Sequence, residues 1–172
     1  GHTRLWRAWS SDVCSSDLLM LILAAARRLN VMDRFVRTGE FIKGRPTFVD
    51  IPRLWGQTLG LIAFGNVAQA VARRAAPFGF HIVAYDPFVS PDYASRLSVE
   101  LLTLDQLLAQ SDFLTLHTPL SDGTHHMIGA RELSLLKPGA RIINVARGEL
   151  IDEEALFLAL QSDRLAGVAL DV

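Results

Sequence analysis

Cysteine is almost absent from this chain. The lone Cys14 permits no intrachain disulfide, and no Cys/His metal spacing can be built around it, so no metal site is expected. One thiol without a disulfide framework suits a reducing compartment, and the expected location is cytoplasmic. Long apolar runs are missing too. The longest, LLMLILAAA from Leu18 to Ala26, is about half the roughly 20 residues that a membrane-spanning helix requires. No membrane partner is expected. A surplus of one charge is equally lacking: Lys+Arg 17 against Asp+Glu 18 leaves a net charge of -1, with no basic block to track a phosphate backbone. Direct binding of nucleic acid is not expected, and the chain shows neither internal repeats nor low-complexity segments.

Arg4 and Arg7 ahead of the apolar run, with alanines at its end, give the outline of a signal peptide. Arg27 and Arg28 directly after the run, and the polar stretch before it, fit an amphipathic helix instead. That polar stretch, WSSDVCSSDL from Trp9 to Leu18, reads as the conceptual translation of a sequencing adapter fused to a gene fragment. Residues 1–17 are therefore set aside as a leader of non-native origin, Cys14 among them, and an incompletely read gene is expected.

What is present is a hydrophobic content of 50%, enough to bury a core. Short apolar runs recur: LGLIAF (Leu59 to Phe64), HIVAYD (His81 to Asp86), DFLTLH (Asp112 to His117), RIINVA (Arg141 to Ala146) and AGVALDV (Ala166 to Val172). They are apolar at consecutive positions, as strands are when helices cover both faces of a parallel sheet. Helical patterns lie between them. Val67, Val71, Ala75 and Phe78 make one apolar face opposite Arg73 and Arg74; Thr103 and Gln106 form a capping box; Asp152 caps a helix that opens on Glu153 and Glu154. KPG at Lys137 to Gly139 stops a further helix before a strand. The alternation predicts an α/β domain with a doubly wound parallel sheet over residues 58–172, with ligands at the carboxyl ends of the strands. Residues 18–57 are read as a helix followed, from about Asn30, by an extended arm carrying Gly39, Gly44, Pro46 and Pro52.

The stretch GLIAFGNVA, Gly60 to Ala68, has the outline of a turn that presents backbone N–H groups to a pyrophosphate. Its glycine slots fall on Ala63, Gly65 and Ala68. Gly65 leaves room for the phosphates, Ala68 permits close packing of helix on strand, and Ala63 is acceptable if its φ stays negative. A strand-to-helix turn with an incidental glycine has the same outline. Asp86, 23 residues beyond Ala63, stands where an acidic side chain accepts from an adenosine ribose and repels a 2′-phosphate, which selects NAD over NADP. An Asp-Pro turn with Pro87 is the plainer reading.

INVARGELIDEEAL, Ile142 to Leu156, is the most specific signal. With LILAAARRL, GQTLGLIAFGNVAQAVA, FGFHIVAYDP, LTLHTPL and LAGVALDV in order around it, the chain from about Leu18 to Val172 resembles the D-isomer-specific 2-hydroxyacid dehydrogenases. That group includes phosphoglycerate dehydrogenase, glyoxylate and hydroxypyruvate reductases, and the C-terminal-binding-protein corepressors. The resemblance implies a Rossmann-like NAD-binding domain without most of its substrate domain. It implies that Arg147 binds the substrate's carboxylate and carbonyl oxygen beside the nicotinamide, a task suited to the fork of donors on a guanidinium. By the same resemblance Val145, Ala146 and Asp171 hold the nicotinamide end, Thr118 meets the other half of the cofactor, and Asn66 and Val67 supply amides at the pyrophosphate turn. The first helix and arm are similar to the segment that crosses to a second subunit, which implies a homodimer of the full-length protein and leaves open whether the helix's apolar face is interface or core.

His117, His125 and His126 are expected to face solvent, because the family's catalytic histidine and its glutamate follow the ALDV segment and no residue here matches either role. The expected activity is hydride transfer between NAD and a small 2-oxo or 2-hydroxy acid, with this piece inactive alone. An NAD-sensing interaction module of the corepressor type is the alternative, to which THHMI at Thr124 to Ile128 is loosely similar. A methyltransferase using the same turn leaves Arg147 unexplained.

Overall fold

The apolar runs become the strands of one sheet in a computed structural model that describes residues 2–48, 51 and 53–172. Pro52 of the expected arm lies outside the described residues, as do the side chains of residues 2–13, Arg4 and Arg7 included. The strands are β1 (Thr58–Ile62), β2 (His81–Tyr85), β3 (Glu100–Leu101), β4 (Phe113–Leu116), β5 (Ala140–Asn144) and β6 (Leu165–Leu170). All neighbours are parallel, in the order β3-β2-β1-β4-β5-β6. The chain thus winds outward from β1 in one direction and from β4 in the other. The two halves meet between β1 and β4, where helices leave toward opposite faces and a crevice opens at the carboxyl ends. β3 escapes the sequence reading because two residues carry no periodicity.

Helices cover both faces. On one side α1 (His2–Ala26) and α4 (Asn66–Ala75) pack on the sheet, burying Leu18, Ile22, Ala68 and Val71 against Leu59, Leu61 and Phe113. On the other, α6 (Leu104–Gln110), α7 (Ala130–Leu135) and α8 (Glu153–Gln161) enclose Leu107, Leu133 and Leu156 with Leu114 and Ile142. Consecutive strand residues go to opposite sides, Ile142 to one and Ile143 to the other, which is why the strands read as unbroken apolar runs. The apolar face of the first helix is therefore core. Buried Arg141 on β5 ties that helix down, donating from Nε to the Ala25 carbonyl (3.2 Å) with its guanidinium over the Phe113 ring.

Local signals hold at the helix starts. Thr103 and Gln106 form both halves of the capping box at α6, and the Asp152 carboxylate accepts from the Ala155 N–H (3.0 Å) at α8. Two expectations need correction. The expected extended arm contains two helices, α2 (Leu29–Arg37) and α3 (Phe41–Gly44), followed by a short 3-10 turn. Met32, Val36, Val31 and Phe35 do recur at helical spacing, but α2 buries none of its residues, so the pattern lacked a core to confirm it. Phe78 does not extend the apolar face of α4. Pro77 follows the helix end at Ala75, the chain tightens into a 3-10 turn, and Phe78 is exposed while Phe80 enters the core. Between β2 and β3 the link is α5 (Pro91–Ser95), a short helix whose start is capped by Ser90. Among the described residues no helix is long and apolar enough to cross a membrane.

Candidate dinucleotide-binding site

The carboxyl end of β1 delivers the chain into the crevice through Ala63, Phe64 and Gly65. Gly60, earlier on the strand, lets α6 approach: a side chain there would collide with Ser111 and Leu107. At Ala63 the backbone turns into the left-handed region, with φ 68. The condition under which alanine is comfortable in this slot, a negative φ, is therefore not met. The chain must reverse sharply between β1 and α4, and the slot where related turns use glycine demands that conformation whichever residue fills it.

Gly65 is the residue before α4 and has extended backbone, so its glycine is not required by conformation. A Cβ built on it meets nothing within 4 Å. The helix beyond it has no side-chain cap and no acidic residue in its first turn. The N–H groups at Asn66 and Val67 thus begin a helix whose positive end faces an open space, the arrangement that receives a phosphate. These observations fit a dinucleotide: the space a side chain would fill at Gly65 is kept clear.

Asp86 follows β2 at the far end of this turn. Its Oδ2 accepts from the Phe64 N–H and its Oδ1 from the Phe88 N–H, both at 2.8 Å. Each oxygen retains a lone pair for a further donor such as a ribose hydroxyl. Gln69 braces the same turn, donating to the Phe64 carbonyl (3.0 Å) and accepting from the Tyr93 hydroxyl (3.2 Å).

At the other end, Val67, Thr118, Val145, Ala146 and Arg147 line a cavity of about 260 Å³ together with His117; Cys14 of α1 also borders it. The Arg147 guanidinium is exposed and its Nη1 donates to the Ala146 carbonyl (2.6 Å). It also borders a neighbouring cavity of about 710 Å³ with His126, Glu149 and Asp152. Asp171 does not line the smaller cavity. Its carboxylate is exposed, and its backbone N–H donates to the Asn144 carbonyl (3.0 Å), which fixes β6 beside the Arg147 loop.

Two participants are not assigned to the site by the sequence. Asn144, fully buried at the end of β5, donates from Nδ2 to the Arg147 carbonyl (2.7 Å) and accepts at Oδ1 from the Ala146 N–H (3.0 Å). One side chain therefore shapes the loop that carries Arg147. Its only sequence signal is a polar residue closing the apolar run RIIN. His117 is the second, and it corrects the expectation that it faces solvent. It is partly buried in the cavity wall, its Nε2 lies 2.9 Å from Thr115 Oγ1, and burial pushes its pKa down to about 4. A ring held neutral in this way is a poor proton donor near pH 7. His125 and His126 do face solvent, stacked on each other with ring centroids 3.9 Å apart.

The model for the family described as D-isomer specific 2-hydroxyacid dehydrogenase, NAD binding domain, matches residues 19–172. A glyoxylate reductase of Thermococcus gammatolerans is 45% identical over 156 residues, covering 88% of this chain and 47% of that protein. A D-3-phosphoglycerate dehydrogenase of Methanocaldococcus jannaschii is 39% identical over 165 residues, covering 95% of this chain and 31% of that protein. The solved structure of a D-lactate dehydrogenase from Aquifex aeolicus, complexed with NAD and lactic acid, superposes with a TM-score of 0.89 at 32% identity, over 96% of this chain and 49% of that one. The chain spans about half the length, or less, of these relatives.

Proposed function

Because the chain belongs to the D-isomer-specific 2-hydroxyacid dehydrogenase family through that family's NAD-binding domain, we propose that it is the cofactor half of an oxidoreductase that interconverts a small 2-oxo acid and a D-2-hydroxy acid. When bound, the nicotinamide supplies or accepts the hydride at its C4. The chain's own residues bind and orient. Gly65 keeps the turn clear, and the N–H groups of Asn66 and Val67 take the pyrophosphate. Asp86 accepts from the adenosine ribose. Thr118, Val145, Ala146 and Asp171 hold the remainder. Arg147 anchors the acid's carboxylate and polarises its oxo group, as a planar guanidinium can. The single observation that carries this reading is the uncapped start of α4 behind an open Gly65, with a carboxylate at one end of the crevice and an exposed guanidinium at the other.

Titration with NADH and NADPH, followed by cofactor fluorescence, tests it. NADH is expected to bind at least about a hundredfold more tightly, since like charges facing each other at position 86 cost several kcal/mol. Equal affinity, or none for either, would overturn the assignment. Turnover of glyoxylate, hydroxypyruvate or 3-phosphohydroxypyruvate by the 172-residue chain alone is not expected, because none of its residues matches the family's acid–base histidine or the glutamate that orients it.

The same reading extends to the chain's surroundings. The reading of residues 1–17 as a leader foreign to the domain draws support from a family match that begins at residue 19, but the Methanocaldococcus and Aquifex relatives cover 95% and 96% of this chain and so reach into these residues. Exposed Leu29, Val36 and Ile42 on α2 and α3 support a homodimer. A cytoplasmic location belongs to the same proposal, since residues 18–172 contain no cysteine and so no disulfide framework.

A further inference from the structure

Ala63 occupies a backbone conformation that disfavours any side chain, by about 1–2 kcal/mol for an L residue, and something must hold it there. Both peptide groups flanking it are held from β2 and the residue after it. The Ala63 N–H donates to the Tyr85 carbonyl and the Phe64 N–H to Asp86 Oδ2, each at 2.8 Å. Returning Ala63 to a negative φ requires one of those two peptides to rotate and lose its acceptor. The second oxygen of Asp86 is fixed in turn by the Phe88 N–H at 2.8 Å, so the carboxylate itself cannot follow.

We propose that Asp86 is a positioning residue for the turn: its carboxylate clamps Ala63 in the left-handed conformation that opens Gly65 and the start of α4 to the dinucleotide. The dinucleotide clause rests on the function proposed above. The clamp itself rests only on the turn. It means that the residue read as the ribose acceptor, and hence as the determinant of cofactor choice, cannot be exchanged without loosening the phosphate turn. Ala63 is what creates this dependence, since a glycine in that slot would hold the same φ unaided.

The test is a double-mutant cycle on the whole chain with Asp86→Asn, Ala63→Gly and the pair. Asparagine offers one acceptor and one donor where two N–H groups need acceptors, so one of them loses its partner. Asp86→Asn is expected to weaken NADH binding about 30-fold in the unaltered chain but only about fivefold when combined with A63G, a coupling in the range found for groups sharing one network. Thermal melts without cofactor should show the same sign, with Asp86→Asn lowering Tm by about 4 °C more when Ala63 is present. Losses that agree within about twofold in the two backgrounds would overturn the clamp.

Should Asp86→Asn fail to fold while the double variant folds, the clamp is supported. Amide exchange on the unaltered chain gives a reading independent of any variant. The Phe64 N–H should exchange slowly without cofactor, and exchange at the rate of an unprotected amide would overturn the proposal. Coupling in the cofactor-free melts with no NADH binding by any variant would leave the clamp standing and the NAD reading fallen. NADH binding without coupling would do the reverse.

Discussion

An imidazole enclosed at the end of β4 shows how a single residue acquires a pH response. His117 takes up a proton in the unfolded chain near its ordinary pKa of 6.5 and in the folded chain only near about 4. Between those values the unfolded state binds more protons, so stability rises with pH across the window and levels off above it. Acidification from pH 7 to pH 4 should remove up to about 3 kcal/mol through this group, because each tenfold difference in proton affinity between the two states is worth about 1.4 kcal/mol. Urea unfolding at several pH values should show that slope, and His117→Gln should flatten it; an unchanged slope would assign it elsewhere. At this scale the sequence displayed the right residues and the wrong surroundings. His117, His125 and His126 look alike in a string of letters, yet one is walled in by Thr115 and the cofactor crevice while two stack in solvent.

Loops at the ends of strands are built by side chains that the strands bury. Asn144 closes β5 and satisfies both the Ala146 N–H and the Arg147 carbonyl, so it does for the Arg147 loop what a helix cap does for a helix. Asn144→Leu, which keeps the branching of the side chain, removes the acceptor of the Ala146 N–H and leaves the Arg147 carbonyl only the Leu150 N–H, and should cost about 1–3 kcal/mol in chemical denaturation. It should also weaken NADH binding, whereas a loss of stability with unchanged affinity would separate the loop from the site. Element boundaries were legible wherever a cap marked them, as at Thr103 and Asp152. They were not legible at α2, which stands ahead of two glycines and two prolines in a stretch with no clear period overall and has no buried face.

Across the molecule, one sheet carries two cores, one on each face, and each is closed by its own set of helices. Apolar side chains left over are prominent on α2 and α3, where Leu29, Val36 and Ile42 are 54%, 59% and 84% exposed. The proposed homodimer uses this face. Sedimentation of the chain should show a dimer that V36K combined with I42K converts to a folded monomer, with far-UV circular dichroism unchanged and Tm lowered only by the lost, concentration-dependent stabilisation of the dimer. A monomer at all concentrations would overturn the homodimer for this chain, and a dimer indifferent to both substitutions would place the interface elsewhere.

By itself the sequence determined the alternation of strand and helix, the parallel sheet and the residues at its carboxyl ends, because periodicity and capping are properties of near neighbours along the chain. Only the tertiary structure decided the left-handed turn at Ala63, the two partners of Asp86, the burial of His117 and the hold of Asn144 on the Arg147 loop. The Phe64 N–H finds its acceptor 22 residues away, just past the end of a different strand. Which donor meets which acceptor across a sheet depends on the order and register of strands, and those are fixed only when the core closes around them.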